Sequence, residues 1–330
     1  MRKYGAIFLS AVLALAFLPL TSEAAISIKM AIAYDIGGRG DHGINDAAAK
    51  GVDAIKKKFG LTALSVREMV TNGSESDRES RLQFLASANY NLIIAVGAGY
   101  AKAISIVALN NPVTQFALIN DASVGNLNIS DMIFSNSDGA YLAGILAGAA
   151  TKSNKVGFIA PAVMSPFFAD FQLGVASSKP KAIALSEFVD TLPVIATQAL
   201  ISQGADVIYS QWISTSEVQD AIAKKTNVKH PLFLIGVDPD QFFLLDKSSA
   251  KILIGAVLKR VDTAVVDVMT SAIKMESVLD VLNGAQGIYG HMYTVKDGGE
   301  SIALTKLGAL YSRKLSAAIA ALKSGKVKLP

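Results

Sequence analysis

Carboxylate and amide side chains follow several apolar segments of the chain, a placement that suits them to bind a polar ligand. The richest segment runs from Tyr34 to Asn45 and reads YDIGGRGDHGIN. Its Asp35, Asp41 and Asn45 offer oxygen acceptors for the hydroxyl or amine groups of a ligand, and its glycines leave room for the backbone to approach. The segment therefore predicts a binding site for a polar solute.

The same segment satisfies the spacing G-x-G-x-x-G between Gly38 and Gly43, which also occurs in dinucleotide-binding proteins. A pyrophosphate would have to approach Asp41, and two anions repel each other. The acidic residue expected on the ribose has no clear counterpart, because Glu68 lies beyond the second apolar segment. We favour a solute-binding loop, with an exported NAD(P)-dependent oxidoreductase as the alternative.

Acidic residues end two further apolar segments. Asp121 follows residues 116–120, and Asp238 follows residues 232–237. A carboxylate at the end of a parallel strand faces the ligand crevice of an open α/β sheet, although either residue could instead cap the following helix. Because two separate segments offer the same group, we predict that both residues contact the ligand.

Four more residues at segment ends complete the predicted site. Gly97 and Tyr100 lie where residues 92–96 lead into a helix, and free amides there can serve a ligand or simply form a turn. Lys259 follows a later apolar segment and could offset the clustered carboxylates or point into solvent. Trp212, the single tryptophan, could offer a stacking surface or pack in the core.

Residues for catalysis or metal binding are sparse. The three histidines, His42, His230 and His291, are far apart and form no H-E-x-x-H pair. The sequence contains no G-x-S-x-G nucleophile motif, no G-K-[ST] phosphate loop and no cysteine. We therefore predict a binding protein and not an enzyme, with no catalytic residue, no metal and no cofactor.

These residues need a scaffold, and the chain alternates apolar strand-like segments with amphipathic helical stretches. Continuous runs of Val, Ile, Leu and Ala suit strands that are buried on both faces of a parallel sheet. The predicted strands cover residues 28–34, 63–67, 92–96, 116–120, 132–134, 155–159, 183–188, 207–209, 232–237 and 252–257. The predicted helices cover residues 45–59, 75–89, 99–110, 138–151, 192–203, 215–225 and 259–275.

The order of these segments predicts an α/β fold with right-handed crossovers. Ten strands approach the upper limit for one open sheet. We therefore expect two doubly wound parallel sheets, with a break near residues 128–137. No long linker separates the halves, which indicates that the chain crosses several times between two lobes.

Residues 1–24 have the features of a secretory signal peptide, with Arg2 and Lys3 before a short apolar core; an uncleaved anchor is the alternative. No cysteine is present to carry a lipid. We predict an exported protein that is not lipid-anchored, in the periplasm or at the outer face of the cytoplasmic membrane. The net charge of +4 is spread along the chain without interleaved aromatic residues, so no nucleic acid is predicted as a partner.

As a set, these residues resemble the basic membrane protein family, the PnrA-like substrate-binding proteins of ABC importers. The resemblance covers nearly all of the mature chain. It depends on the segment from Asp35 to Asn45 and on six further segments, followed by KDGG (296–299). The six segments read IIAVG (93–97), FALIND (116–121), GAYLAG (139–144), KVGFI (155–159), QGADVIY (203–209) and GVD (236–238).

The resemblance implies a type I periplasmic-binding fold, in which two lobes close on a ligand that is commonly a purine nucleoside. It implies that Asp121 binds base nitrogens and that Asp238 and Lys259 bind ribose hydroxyls. Asn45 and its neighbours, which include Ile44, would line the other side. The implied partners are a small-molecule ligand and an ABC permease in the cytoplasmic membrane, and we expect a monomer.

The same comparison predicts lobe boundaries. The N-terminal lobe is expected to contain residues 26–134 and 258–284. The C-terminal lobe is expected to contain residues 135–257 and 285–330.

Three features depart from the family. Many relatives have a stacking Phe where this chain has Ile44, and a glycine-rich segment where residues 211–215 read QWIST. The lipid-bearing cysteine is also absent. The first two differences leave the ligand open. Trp212 could replace the lost stacking, and a sugar, a flavin or a signalling molecule is the alternative to a nucleoside.

Overall fold

The structure, a computed structural model, describes residues 28–61, 65–212, 216–227, 229–237 and 251–330. The predicted signal peptide and the candidate ligand residue Asp238 lie outside these ranges. Within them, no helix is long and apolar enough to cross a membrane.

The strands and helices alternate along most of the chain. The strands are β1 (Met30–Tyr34), β2 (Val66–Val70), β3 (Leu92–Val96), β4 (Gln115–Ile119), β5 (Ile129–Phe134), β6 (Lys155–Ala160), β7 (Ile183–Phe188), β8 (Val207–Ser210), β9 (Phe233–Val237), β10 (Leu253–Lys259), β11 (Asp280–Asn283), β12 (Ile288–Tyr293) and β13 (Glu300–Leu304). The helices are α1 (Ile44–Phe59), α2 (Glu75–Ser87), α3 (Ala101–Asn110), α4 (Asn136–Ala150), α5 (Phe168–Ser178), α6 (Pro193–Ser202), α7 (Ser216–Lys225), α8 (Val261–Ile273) and α9 (Ser312–Lys323).

The strands form two sheets, one in each lobe. The first sheet has the order β11-β12-β5-β4-β3-β1-β2, and the second has the order β13-β10-β9-β8-β6-β7. Neighbouring strands run parallel except at one end of each sheet, where β11 and β13 are antiparallel to their neighbours. Helices cover both faces of the first sheet, which is why β1 and β3 are apolar at every position. The predicted α/β class with two doubly wound sheets is confirmed.

The chain passes between the lobes at three places. The crossings lie between β5 and α4, between β10 and α8, and between β12 and β13. One predicted boundary needs correction, because β12 pairs in parallel with β5 of the first sheet although residues 285–330 were expected in the C-terminal lobe. The third crossing therefore falls after Tyr293, while the other boundaries remain predictions.

The third crossing is held by side chains from both lobes. The carboxylate of Asp138, in the first turn of α4, accepts a hydrogen bond from the Val295 amide at 2.6 Å. Asp297, within the crossing, lies 3.3 Å from Nε2 of His291 on β12. Burial favours a neutral imidazole, but Asp280 and Asp297 outweigh it and raise the pKa of His291. When protonated, His291 on β12 of the first lobe forms an ion pair with Asp297 of this crossing.

Candidate functional site

A hydrogen bond between the lobes joins the carboxyl edges of the two sheets. Lys259, the last residue of β10, places Nζ 3.1 Å from Oδ1 of Asn120, which follows β4. Asn120 has a φ of 64°, in the left-handed region that Asn tolerates better than most residues. Asp121 is the next residue along the chain. The structure therefore brings the predicted ligand residue Lys259 beside the segment that carries the predicted ligand residue Asp121.

Lys259 also lines a small cavity at the carboxyl edge of the second sheet. Buried Glu300 lies opposite Lys259 in the antiparallel register of β13 and β10. Asn136, Tyr209 and Gln211 complete the polar lining of this cavity of about 30 Å³. Such a volume admits a water-sized group. The described residues thus form a niche for one functional group of a ligand, not for a whole nucleoside.

Asp35 lies at the carboxyl end of β1, as predicted, and a cation that the sequence did not indicate lies beside it. Arg78 of α2 donates from Nη2 to Oδ1 of Asp35 at 2.7 Å. This hydrogen bond raises the pKa of Arg78. The other oxygen, Oδ2, faces the turn after β3, where an added Cβ on Gly99 would lie 3.0 Å from it. One oxygen of Asp35 therefore holds an arginine, and the other faces the carboxyl edge of the sheet.

Asp41 and Asn45 organise the loop after β1. The Asp41 carboxylate accepts from the amides of Gly43, Asn45 and Asp46 at 2.7, 3.2 and 3.1 Å, at the start of α1. Asn45 is 1% exposed; it accepts from the Asp35 amide at 3.0 Å and donates to Asp41 at 2.7 Å. Because these polar groups already have partners inside the protein, the geometry favours a capping role over the predicted ligand contact.

The same hydrogen bonds argue against a dinucleotide at this glycine loop. A pyrophosphate binds free amides at a helix N-terminus, but these amides donate to the carboxylate of Asp41. Glu68, the candidate for the ribose, accepts instead from Arg39 at 2.6 Å, Lys56 at 2.7 Å and the Tyr34 hydroxyl at 2.8 Å. The loop with the G-x-G-x-x-G spacing therefore hydrogen-bonds to its own carboxylate, Asp41.

Replacing Glu68 with Gln should lower the stability of the protein at neutral pH. Burial alone would raise the pKa of Glu68, but hydrogen bonds from Arg39, Lys56 and Tyr34 lower it to about 2. A carboxyl group with a lowered pKa stabilises the fold above its unfolded pKa, and this contribution is lost as the pH falls. We expect Glu68→Gln to lower the Tm by about 1–2 °C at pH 7, for a screened contribution of roughly 1 kcal/mol.

Thermal unfolding followed by circular dichroism between pH 2 and pH 7 measures this effect. Glu276→Gln, at an exposed position, serves as the control. The difference between Glu68→Gln and the unmodified protein should shrink toward zero as the pH approaches 2. A difference that stays the same at every pH would contradict the assignment.

Gly97 and Tyr100 are packed at the end of β3. Gly97 is buried with a φ of 96°, and its amide donates to the Ile119 carbonyl at 3.1 Å. Tyr100 has no exposed surface, and its hydroxyl donates to the Tyr34 carbonyl at 3.0 Å. The Arg78 guanidinium lies 5.6 Å from the centre of its ring. Because core packing covers the side chain, the geometry favours a packing role for Tyr100 over the predicted ligand contact.

Asp121 begins the loop between β4 and β5 and is half-buried. Its Oδ1 accepts from the amide and the hydroxyl of Ser123 at 2.9 and 2.5 Å. These two bonds form a local Asx-type turn that fixes the carboxylate. Both bonds use Oδ1. The turn therefore does not involve Oδ2, which is suited to accept a hydrogen bond from a ligand.

Trp212 and Ile44, the two candidates for stacking, both pack against apolar clusters. Trp212 is half-buried against the cluster between the second sheet and helices α6 and α7. Its indole Nε1 is buried and has no partner among the described residues. Ile44 packs against the cluster between the first sheet and helices α1 and α8. Neither residue lines the cavity beside Lys259, and a stacking role remains a prediction.

The fold places the chain in the class of two-lobe proteins of the type I periplasmic-binding fold. An ABC transporter solute-binding protein from Aeropyrum pernix K1 has a similar structure, with a TM-score of 0.62, 21% identity and coverage of 91% of this chain and 92% of that one. AraP, an arabinose binding protein from Geobacillus stearothermophilus, has a TM-score of 0.64 at 11% identity over 87% of this chain and 99% of that one. These similarities establish the fold alone.

The chain belongs to the family of PnrA-like ABC transporter substrate-binding proteins, whose model matches residues 28–322. A CD4+ T-cell-stimulating antigen of Listeria monocytogenes is 30% identical over 260 residues, 74% of this chain and 73% of that protein. The ABC transporter nucleoside-binding protein BmpA of Lactococcus lactis is 26% identical over 258 residues, 73% of this chain and 74% of that protein. The resemblance stated from the sequence motifs is confirmed.

Membership of this family has direct consequences for function. Its members are substrate-binding components of transporters and not enzymes. A small-molecule ligand and a membrane permease are therefore the partners that the family implies.

The predicted localisation, which excluded a lipid anchor, needs correction. A relative from Pyrococcus abyssi is named an uncharacterized lipoprotein; it is 35% identical over 130 residues, which cover 38% of this chain and 31% of that protein. A Pyrococcus horikoshii relative carries the same description. The prediction depended on the absence of cysteine, a single residue type, and these relatives contradict it. The predicted absence of a lipid anchor is therefore not retained.

Proposed function

We propose that this protein captures a purine nucleoside between its two lobes, by lobe closure, and passes it unchanged to a membrane permease. Asp121 and Asp35 accept hydrogen bonds on the side of the first lobe. Lys259 donates to ribose hydroxyls on the side of the second lobe, where Glu300 offers an acceptor. Asp238, the residue after Val237 in the sequence, joins them as a prediction from the sequence.

One observation carries this proposal: Lys259 reaches across the gap to Asn120, next to Asp121. In an open α/β sheet, ligands bind outside the carboxyl ends of the strands. The contact supports a site in which the carboxyl edges of two sheets face a shared cleft. The name of the Lactococcus lactis relative, a nucleoside-binding protein, supports the class of ligand.

Several moderate contacts are needed for capture. A hydrogen bond to a charged group contributes roughly 1.5–3 kcal/mol. Three or four such bonds, less the cost of association, are consistent with micromolar binding or tighter. Because the bonding groups come from both lobes, the ligand favours the closed arrangement, and closure presents a changed surface to the permease.

A thermal-shift screen tests the class of ligand. The screen contains adenosine, guanosine, inosine, their free bases, arabinose, glucose and riboflavin. A ligand at about one hundred times its Kd stabilises the native state by about 2.7 kcal/mol, which should raise the Tm of a chain of this length by about 3–5 °C. We expect the purine nucleosides to produce this shift. A shift with a sugar or riboflavin but with none of the nucleosides would overturn the proposal.

A further inference from the structure

Asp131 is a buried carboxyl group below the loop that carries Asp121. It lies on β5, between Leu118 of β4 and Gly290 of β12, and it has no exposed surface. No side chain among the described residues hydrogen-bonds to its carboxylate, and the one polar group that acts on it favourably is the Val124 amide. A buried carboxylate with so few partners is costly, so a structural role alone gives little reason to keep an acid here.

The loop between β4 and β5 covers Asp131. Val124 in this loop is buried within the apolar cluster between the first sheet and helices α2 and α3. A Cβ on Gly125 would lie 2.2 Å from the Gln286 carbonyl oxygen, so the loop packs closely against the turn before β12. This packing and the lack of exposed surface shield Asp131 from water.

Asp121 is the residue whose negative charge acts on Asp131. Leu118 and Gly290 on the flanking strands carry no charge, the turn at Gly284–Gln286 has none, and α3 presents apolar residues to this face of the sheet. Burial, followed by the negative charge of Asp121, raises the pKa of Asp131 to about 7, while the Val124 amide acts in the opposite direction. Burial and the charge of Asp121 therefore both favour the protonated form of Asp131.

We propose that Asp131 is a positioning residue for the ligand contact of Asp121. When protonated, it allows the loop that carries Asp121 to close over the ligand, and when ionised it opposes closure. The inference rests on the proposed function, because ligand contact and lobe closure remove water from Asp121. Two neighbouring carboxylates then repel each other more strongly, so binding takes up a proton at Asp131.

The sign of the pH dependence follows from this linkage. If the bound state holds the proton more tightly than the free state, affinity falls as the pH rises through the region in which free Asp131 ionises. We expect the Kd for adenosine, which stays uncharged between pH 5.5 and pH 8.5, to rise by about fivefold or more over that range. Asp131→Asn should bind at pH 8.5 nearly as tightly as the unmodified protein binds at pH 5.5.

Isothermal titration calorimetry of the full chain with adenosine measures these constants. Asp170→Asn is the matched control, because Asp170 on α5 is another buried acid with a pKa raised by burial. The control should keep the pH dependence of the unmodified protein. Binding of adenosine with the same pH profile in all three proteins would overturn the role of Asp131.

A second measurement needs no ligand. Carbon-detected NMR titration follows the side-chain carboxyl groups, and the Asp131 signal is assigned by its loss in Asp131→Asn. We expect its midpoint near 7 and a lower midpoint in Asp121→Asn, where the repelling charge is gone. A midpoint near 4, the ordinary value for aspartate, would overturn the inference. Absence of adenosine binding at every pH with a midpoint near 7 would count against the proposed function instead.

Discussion

Lys259→Met should weaken nucleoside binding by about ten- to hundredfold. The substitution keeps the length of the side chain but removes a charged donor, which contributes roughly 1.5–3 kcal/mol when hydrogen-bonded. It also removes the bond from Nζ to Asn120 between the lobes. Isothermal titration calorimetry with adenosine at pH 6 measures the loss.

Lys102→Met is the matched control for this experiment. Lys102 is exposed on α3, in the first lobe, and its replacement should leave the Kd within twofold of the original value. Thermal melts of both variants exclude a loss of folding as the cause. Equal affinity of Lys259→Met and the control would place Lys259 outside the binding site.

Asp121→Ala should weaken binding by at least about tenfold, from the loss of a charged acceptor. The variant also frees Ser123, whose amide and hydroxyl both donate to Oδ1, so the loop after β4 becomes less well ordered. The loss should be larger for adenosine than for ribose alone, because the proposed contact is with the base. Calorimetry with the two ligands separates these contributions.

The control for Asp121→Ala is Asp220→Ala, at an exposed position on α7. Both variants remove one negative charge, so any general electrostatic effect on binding should be the same. Unchanged binding of adenosine by Asp121→Ala, with a normal Tm, would show that the base is held elsewhere.

The central strands and their ends could be predicted from the sequence because their physical signal is local. Parallel strands that are buried on both faces are continuous apolar runs, and the observed limits of β3, which is buried at every position, agree with the predicted ones. An acid or a lysine directly after such a run must lie at the edge of the sheet. The positions of Asp35 and Lys259 at these edges follow from that rule.

The partners of these side chains could not be predicted in the same way. Arg78 lies 43 residues from Asp35 in the sequence, and only the packing of α2 beside β1 brings the two together. Glu300 belongs to an antiparallel edge strand whose sequence lacks a continuous apolar run. A contact between distant residues needs the register and the tilt of both elements, which composition does not determine.

A second reason limits what the sequence can predict, and it applies to the roles of Asp41, Asn45 and Tyr100. The same residue types that bind ligands also cap helices and close loops, and the sequence does not say which partner is nearer. In the structure, Asp41 and Asn45 bond to the loop itself, and Tyr100 fills the core below Arg78. Helix α5 is also absent from the predicted helices. In the structure, Gly144 and Gly174 allow α4 and α5 to pack in close contact.

A crystal structure of the protein with adenosine tests the central claim most directly. We expect chemically intact adenosine between the lobes, with its base within hydrogen-bond distance of Asp121 and its ribose within hydrogen-bond distance of Lys259. Adenosine bound outside the cleft, or a cleft in which these two side chains point away from the ligand, would contradict the account. So would density for a separated base and ribose.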